Sequence, residues 1–249
     1  MKYGLCNLSI VPLRAESSDQ SELVSQILYG ETFKVLERRK KWSKIRLQFD
    51  SYEGWIDNKQ FTEISKEDFK KLNELPVQLS SDLVNFITTR ENQLIIITIG
   101  SNVAASDFLA HQYEGNKVES SLTKEAIIDT ALLYLNAPYL WGGKSPLGID
   151  CSGFTQMVYK LCGYSLLRDA SQQASQGEAL SFIEESEPGD LAFFDNEEGI
   201  ITHVGIIMED HHIIHAHGKV RIDRLDHTGI FNAEKRTHTH KLRVIKRIV

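Results

Sequence analysis

The sequence predicts an α+β domain in its C-terminal half, preceded by two small β-rich units. Three observations carry this. Residues 1–63 hold short runs of β-branched and aromatic residues broken by turn formers, the pattern of a small all-β barrel. From residue 122 onward helical periodicity comes first and strands follow, the order of an α+β domain. A length of 249 residues exceeds one typical domain, so two or three units are expected, here 1–63, 64–121 and 122–249.

In the first unit, Cys6 to Leu13 reads as a strand, Thr32 to Arg38 and Trp42 to Phe49 as a hairpin, and Tyr52 to Asp57 as a further strand. The run Arg38-Arg39-Lys40-Lys41 falls at the hairpin tip, where a solvated turn is expected. Trp42 and Trp55 are read as core or barrel-mouth aromatics. In the second segment, Lys66 to Leu72 predicts a helical turn and Leu94 to Ile99 a buried strand, while Val103 to Leu109 and Asn116 to Glu119 carry no pattern. Composition there supports only a small α+β or β unit, and no repeat or low-complexity tract is present. In the third, Thr123 caps a helix over Glu125 to Leu135, with Ile127, Ala131, Leu132 and Leu135 inward, and Asn136-Ala137-Pro138 ends it. A second helix, Phe154 to Leu161, places Phe154, Val158 and Leu161 on one face. A polar stretch, Arg168 to Gly177, leads to strands at Leu191 to Phe194, Val204 to Met208, Ile213 to Ala216 and Lys241 to Ile248.

Bulk properties exclude several classes. Hydrophobic residues at 41% and charged residues at 25% describe an ordinary globular chain with enough material for a core. A net charge of -6 argues against nucleic acid as the partner, since phosphate contacts need a basic face. No segment approaches the roughly 18 apolar residues of a membrane span. Met1 to Arg14 lacks the features of a secretory signal, so a cytoplasmic location is expected. Three cysteines, Cys6, Cys151 and Cys162, are too few for a disulfide framework. Cys162 is read as a small core residue. No obligate protein partner is evident.

The chemistry concentrates in Gly148-Ile149-Asp150-Cys151-Ser152-Gly153-Phe154. Cys151 follows a glycine-rich turn and opens a helix, where unpaired backbone N–H groups and the helix dipole favour a thiolate. His203 stands at the start of one apolar strand and His215 on the next. A cysteine with a distant histidine is a candidate nucleophile and base. His215 would bond the far nitrogen of His203 and orient it. A thiolate–imidazolium pair is then expected to dominate near neutral pH. Oxyanion donors are sought in the Cys151 backbone N–H and the Tyr139 hydroxyl. The remaining histidines raise a zinc site by number alone, but His211 and His212 lie in a turn and His238 and His240 are expected in solvent; His217 could line the cleft, and no metal or other cofactor is assigned.

Four stretches in order resemble the NlpC-type cysteine peptidases, a papain-like family that cuts bacterial cell-wall peptides: Pro138 to Gly143, Asp150 to Phe154, Pro188-Gly189-Asp190-Leu191-Ala192-Phe193-Phe194, and His203-Val204-Gly205-Ile206. The resemblance implies an α+β papain-like domain with Cys151, His203 and His215 as catalytic residues. Pro12-Leu13-Arg14, Gly30-Glu31, Trp42 with Lys44-Ile45, and Tyr52 to Ile56 resemble a bacterial SH3-like barrel, and Ser21 to Gln26 resembles the form fused to dipeptide-releasing NlpC-type enzymes. By analogy, residues 64–121 would be a second, degraded SH3-like unit.

Carried over residue by residue, the resemblance assigns substrate binding to Asp150, Ser152, Ser171 and Tyr139, and to Glu22 and Tyr52 of the first unit. Asp150 would pair with a substrate α-ammonium, and Arg168 and Asp169 could form a structural ion pair. The implied reaction is hydrolysis of the γ-D-glutamyl–diamino-acid bond, to lysine or meso-diaminopimelate, in murein peptides with a free N-terminal L-alanine. Its product would be L-Ala-γ-D-Glu, and its setting the recycling of wall peptides. An exported hydrolase that uses SH3-like targeting modules on intact wall is the alternative. A non-catalytic binding protein and an acyltransferase on the same scaffold are further readings.

Overall fold

The computed structural model describes residues 2–118, 124 and 126–249. The expected cap Thr123 and the helix start Glu125 lie outside the described residues. Two compact units emerge, one of Met1–Ser121 with Trp141–Pro146, the other of Leu122–Leu140 with Leu147–Val249.

The first unit is built on strands β1 (Lys2–Leu5), β2 (Ile10–Arg14), β3 (Leu23–Leu28), β4 (Thr32–Arg38), β5 (Trp42–Leu47), β6 (Glu53–Asp57) and β7 (Thr62–Ile64). They form one antiparallel sheet in the order β3-β2-β6-β5-β4-β1-β7. Alternation sets its inner face: Val11 and Leu13 of β2 are buried while their neighbours are not, and Ser43, Ile45 and Leu47 of β5 repeat the pattern. Val11, Leu13, Ile45 and Leu47 join Cys6, Ile27, Phe33, Val35, Ile56 and Phe61 in one cluster. Trp42 is half-buried, Trp55 is buried, and the Arg39 guanidinium of the hairpin tip sits 4.1 Å over the Trp55 ring. Two expectations are corrected. Cys6 to Leu13 is not one strand, because residues 6–9 break it, and Leu23–Leu28 is a full strand although only a motif was seen there. Glu22 is exposed and accepts a 2.6 Å hydrogen bond from Trp141 Nε1, and Tyr52 packs partly against the barrel cluster.

Residues 64–118 do not close a barrel of their own. Helix α1 (Lys66–Glu74), capped by Ser65, buries Phe69 and Leu72. Two two-stranded sheets follow, β8 (Leu79–Ser80) with β11 (Lys117–Val118), and β9 (Val84–Thr88) with β10 (Leu94–Thr98). Ile87, Ile97 and Val103 pack on Tyr29 from the turn after β3. Gly30 makes that turn possible: its φ is +79°, and a Cβ there would lie 1.9 Å from the Asn102 carbonyl oxygen.

A two-residue strand in each unit, β12 (Lys144–Ser145) in the first and β13 (Gly148–Ile149) in the second, precedes the long helix of the second unit. That unit contains helices α2 (Ala126–Leu132), α3 (Cys151–Leu161) and α4 (Ala170–Gln173), then strands β14 (Glu178–Leu180), β15 (Leu191–Asp195), β16 (Ile201–Met208), β17 (His212–His217), β18 (Lys219–Leu225), β19 (Gly229–Asn232) and β20 (Thr237–Arg247). Helices first and an antiparallel sheet after give the expected α+β class. The sheet runs β14-β20-β15-β16-β17-β18-β19, and β19 returns to pair with β20, so six strands close on themselves. Ala192, Phe194, Ile207, Ile213, Leu225, Ile230 and Ile245 fill one side. Helix α3 packs against β16 and β17 with Phe154, Met157, Val158 and Leu161 buried. Burying each such side chain contributes about 1.5–3 kcal/mol, which anchors the helix that carries the cysteine. No helix of the described residues is long and apolar enough to cross a membrane.

Candidate active site

Cys151 is the first residue of α3, and Asp150 is its N-cap, accepting from Gly153 N at 2.6 Å. As the first helical residue, Cys151 has a backbone N–H with no carbonyl to reach within the helix, so it can face a substrate oxyanion. The thiol lies against β16: Sγ donates to the Thr202 carbonyl at 3.9 Å, and the Val204 backbone N–H also reaches it. The two residues flanking His203 therefore hold the sulfur beside the base.

His203 Nε2 lies 2.8 Å from His215 Nδ1. Register explains how they meet. Gly205 pairs with His215 across β16 and β17, and a Cβ on residue 205 would come within 2.8 Å of the His215 Cβ. The bare glycine leaves the His215 ring room to reach back to His203, two residues along the same face. His215, fully buried, continues to Asp223: Nε2 lies 3.0 Å from Oδ2. Arg221 completes the row, giving Nε to Oδ2 at 2.7 Å and Nη2 to Oδ1 at 2.9 Å.

The electrostatics differ from expectation. Burial pushes the Cys151 thiol up to about 12, the Asp150 carboxylate adds to this, and the Val204 and Ser152 N–H groups with the Arg168 guanidinium oppose it. Burial also holds His203 well below the ordinary imidazole value, with His215, His240 and His217 pushing the same way. Burial of both side chains thus works against the ion pair expected from the helix terminus alone. Desolvation outweighs the dipole.

Tyr139 is fixed by its backbone, with its N–H on the Gly218 carbonyl at 3.0 Å and a parallel bridge to Ile149. Its hydroxyl is raised to about 12 by burial and then by Cys151 and Asp150, so it stays protonated and able to donate.

Asp150 and Ser152 share one buried partner. The Arg168 guanidinium, 1% exposed, grips Asp150 through Nη1 to Oδ1 at 3.0 Å and Nη2 to Oδ2 at 2.6 Å, and Nη1 also reaches Ser152 Oγ at 3.0 Å. Asp150, 6% exposed, is thus both the cap of α3 and one half of a buried ion pair. Arg168 thus forms an ion pair with Asp150. Ser171 stands exposed on α4, and the inward residue is Gln173, which donates to the Ser152 carbonyl at 2.9 Å and accepts from Thr155 Oγ1 at 2.7 Å.

His240 overturns a second expectation. It is not in solvent: its ring stacks on His203 at 4.1 Å between centroids, and burial lowers it to about 4. His217 is half-buried, its ring 6.3 Å from that of His215. His238 is exposed and faces Asp226 at 2.9 Å. Among the described residues, no group of three or more His, Cys, Asp or Glu side chains is arranged to hold a metal ion.

Residues 136–239 match the NlpC/P60 family model, and residues 13–61 match that of the bacterial dipeptidyl-peptidase SH3 domain. A gamma-D-glutamyl-L-lysine dipeptidyl-peptidase of Bacillus subtilis (strain 168) is 30% identical over 238 residues, covering 86% of this chain and 75% of its own. The chain belongs to the NlpC/P60 family. A second relative, dipeptidyl-peptidase 6 of Lysinibacillus sphaericus, is 28% identical over 246 residues and is covered to 88% of its length. The crystal structure of an NlpC/P60 family protein from Bacillus cereus ATCC 10987 shares the fold, with a TM-score of 0.81 over 99% of both chains at 19% identity.

The NlpC/P60 motifs expose Cys151, His203 and His215 in the sequence. Asp223 and His240 have no such signal. Asp223 and Arg221 alternate on a strand as any exposed pair would, and only the register of β17 with β18 turns them toward His215.

Proposed function

We propose that this NlpC/P60 cysteine peptidase cleaves the γ-D-glutamyl–diamino-acid bond of freed murein peptides, releasing L-Ala-γ-D-Glu. One observation carries the reading: a nucleophile–imidazole–imidazole row stands in a chain whose first barrel matches the SH3 domain of bacterial dipeptidyl-peptidases. That domain accompanies enzymes that count residues from a peptide end. Both lysine and meso-diaminopimelate suit the bond, and recycling of wall peptides suits such an exopeptidase. Residues 64–118 we take as a reduced second SH3-like unit.

In the reaction, His203 takes the thiol proton as Sγ attacks the γ-carbonyl carbon of D-glutamate. The oxyanion meets the Cys151 N–H and the Tyr139 hydroxyl. The His203 imidazolium returns its proton to the departing α-amine of the diamino acid, leaving a thioester. Water, deprotonated by the same ring, then frees the dipeptide and the thiol.

Mass spectrometry of L-Ala-γ-D-Glu-L-Lys and L-Ala-γ-D-Glu-meso-diaminopimelate digests tests this. Release of L-Ala-γ-D-Glu is expected, with at least a tenfold loss when the N-terminus is acetylated, about 1.4 kcal/mol or more. Equal cleavage of the acetylated peptide would discard the exopeptidase reading, and rapid solubilisation of intact sacculi would replace it with wall hydrolysis. Cys151→Ala should remove turnover by about 10⁴-fold or more.

A further inference from the structure

His215 Nε2 and Asp223 Oδ2 are 3.0 Å apart, both side chains are buried, and Arg221 holds the same carboxylate with two N–H groups. A carboxylate fixed by a guanidinium can only accept, so the proton between it and His215 sits on Nε2. A neutral imidazole carries one N–H. His215 Nδ1 is therefore a lone pair, and His203 Nε2, 2.8 Å away, must be the donor to it. The same count applied to neutral His203 leaves its lone pair on Nδ1, the one nitrogen not committed to His215.

We propose that Asp223 is a positioning residue that sets the tautomers of both histidines and so places the basic lone pair of His203 on Nδ1, where the Cys151 proton must go. The relay needs no proton to travel along it. When Nδ1 of His203 gains the thiol proton, Nε2–H still donates to His215, and the new positive charge is stabilised through His215 by the Asp223 carboxylate. Without that carboxylate, His215 can carry its proton on Nδ1. It would then donate to His203 Nε2 and force the His203 proton onto Nδ1, where it blocks the base. Register supports the assignment independently. Asp223 pairs with Ile213 and Arg221 with His215 across β17 and β18, which puts the carboxylate on the His215 face, one pair along.

The first test needs no variant. In ¹⁵N-histidine-labelled enzyme near neutral pH, His203 and His215 should each show a pyridine-like Nδ1 and a protonated Nε2. A protonated Nδ1 on neutral His203 would overturn the proposal, and because no substrate is involved, this holds whatever peptide the enzyme prefers. In Asp223→Asn and Asp223→Ala, the His215 pattern should become mixed, and kcat on L-Ala-γ-D-Glu-L-Lys should fall about 10–100-fold with KM little changed. Folded variants with wild-type nitrogen shifts and wild-type kcat would equally overturn it.

Discussion

At the scale of single residues, two opposing influences act on the Cys151 sulfur. The first turn of α3 offers it N–H groups and the positive end of a dipole, worth about 0.3–1 kcal/mol at exposed helix ends and at most about 2 when partly buried. Removal from water acts the other way and is larger, because an ion loses its whole hydration shell. The thiol rises to about 12 and His203 falls. Both shifts favour proton transfer during attack over a preformed ion pair. Iodoacetamide inactivation should accordingly climb with pH through 8 and 9, with no plateau between pH 5 and 7. A plateau at acid pH, the signature of a preformed thiolate, would contradict this. Sequence motifs expose the reacting atoms because the chemistry tolerates few residue types there. They do not expose His240 or Asp223, whose roles come from which strand lies beside which.

At the scale of elements, α3 shows why a short motif can define a site. Asp150 does three things at once: it caps the helix, takes both Nη atoms of Arg168, and through that guanidinium holds Ser152. The helix start was legible, since Cys151 follows a glycine-rich turn and precedes a helical run. Its partner was not, because Arg168 lies in a polar stretch 18 residues on, with Asp169 the nearer carboxylate in sequence, until α4 and Gln173 turn it inward. Removing one side of a buried ion pair leaves an uncompensated charge and costs about 3–5 kcal/mol. Arg168→Met should thus lower the unfolding free energy by that order, measured by urea titration. Asp150→Asn keeps a cap but loses the charge, and should also be costly. The double variant should recover a large part of the loss, because neither charge then remains alone. Strictly additive losses would mean that Arg168 stabilises the protein by other contacts. The same dependence on context explains β3, a full strand whose apolar residues are interrupted by Ser25 and Gln26, and residues 6–9, where a strand was expected and a bend intervenes.

At the scale of the whole molecule, the two units differ in how many uncharged imidazoles they bury. The second holds His203, His215, His217 and His240, all below the ordinary value through burial; Asp223 pulls His215 and His217 back upward, and Arg221 and Lys235 push His217 down. In the first unit only His111 is lowered among the described residues. The sign follows from proton counting. Below about pH 6.5 the unfolded histidines bind protons that the folded ones refuse, so stability present above that pH is lost as it falls. Each imidazole that stays neutral in the fold contributes up to about 1.4 kcal/mol per pH unit in that window. The carboxylates that the fold holds low, Asp223, Asp226 and Glu187 here, and Glu53 and Asp82 in the first unit, act chiefly nearer pH 4. Moving from pH 7 to 5 therefore isolates the histidines. Amide protection factors in β16 to β18 should fall by the equivalent of at least about 2 kcal/mol, while those of β2 to β6 change little. All three tryptophans, Trp42, Trp55 and Trp141, belong to the first unit, so their fluorescence should stay native as the peptidase unit loosens. Equal loss of protection in both units would show that buried imidazoles do not govern the acid limit.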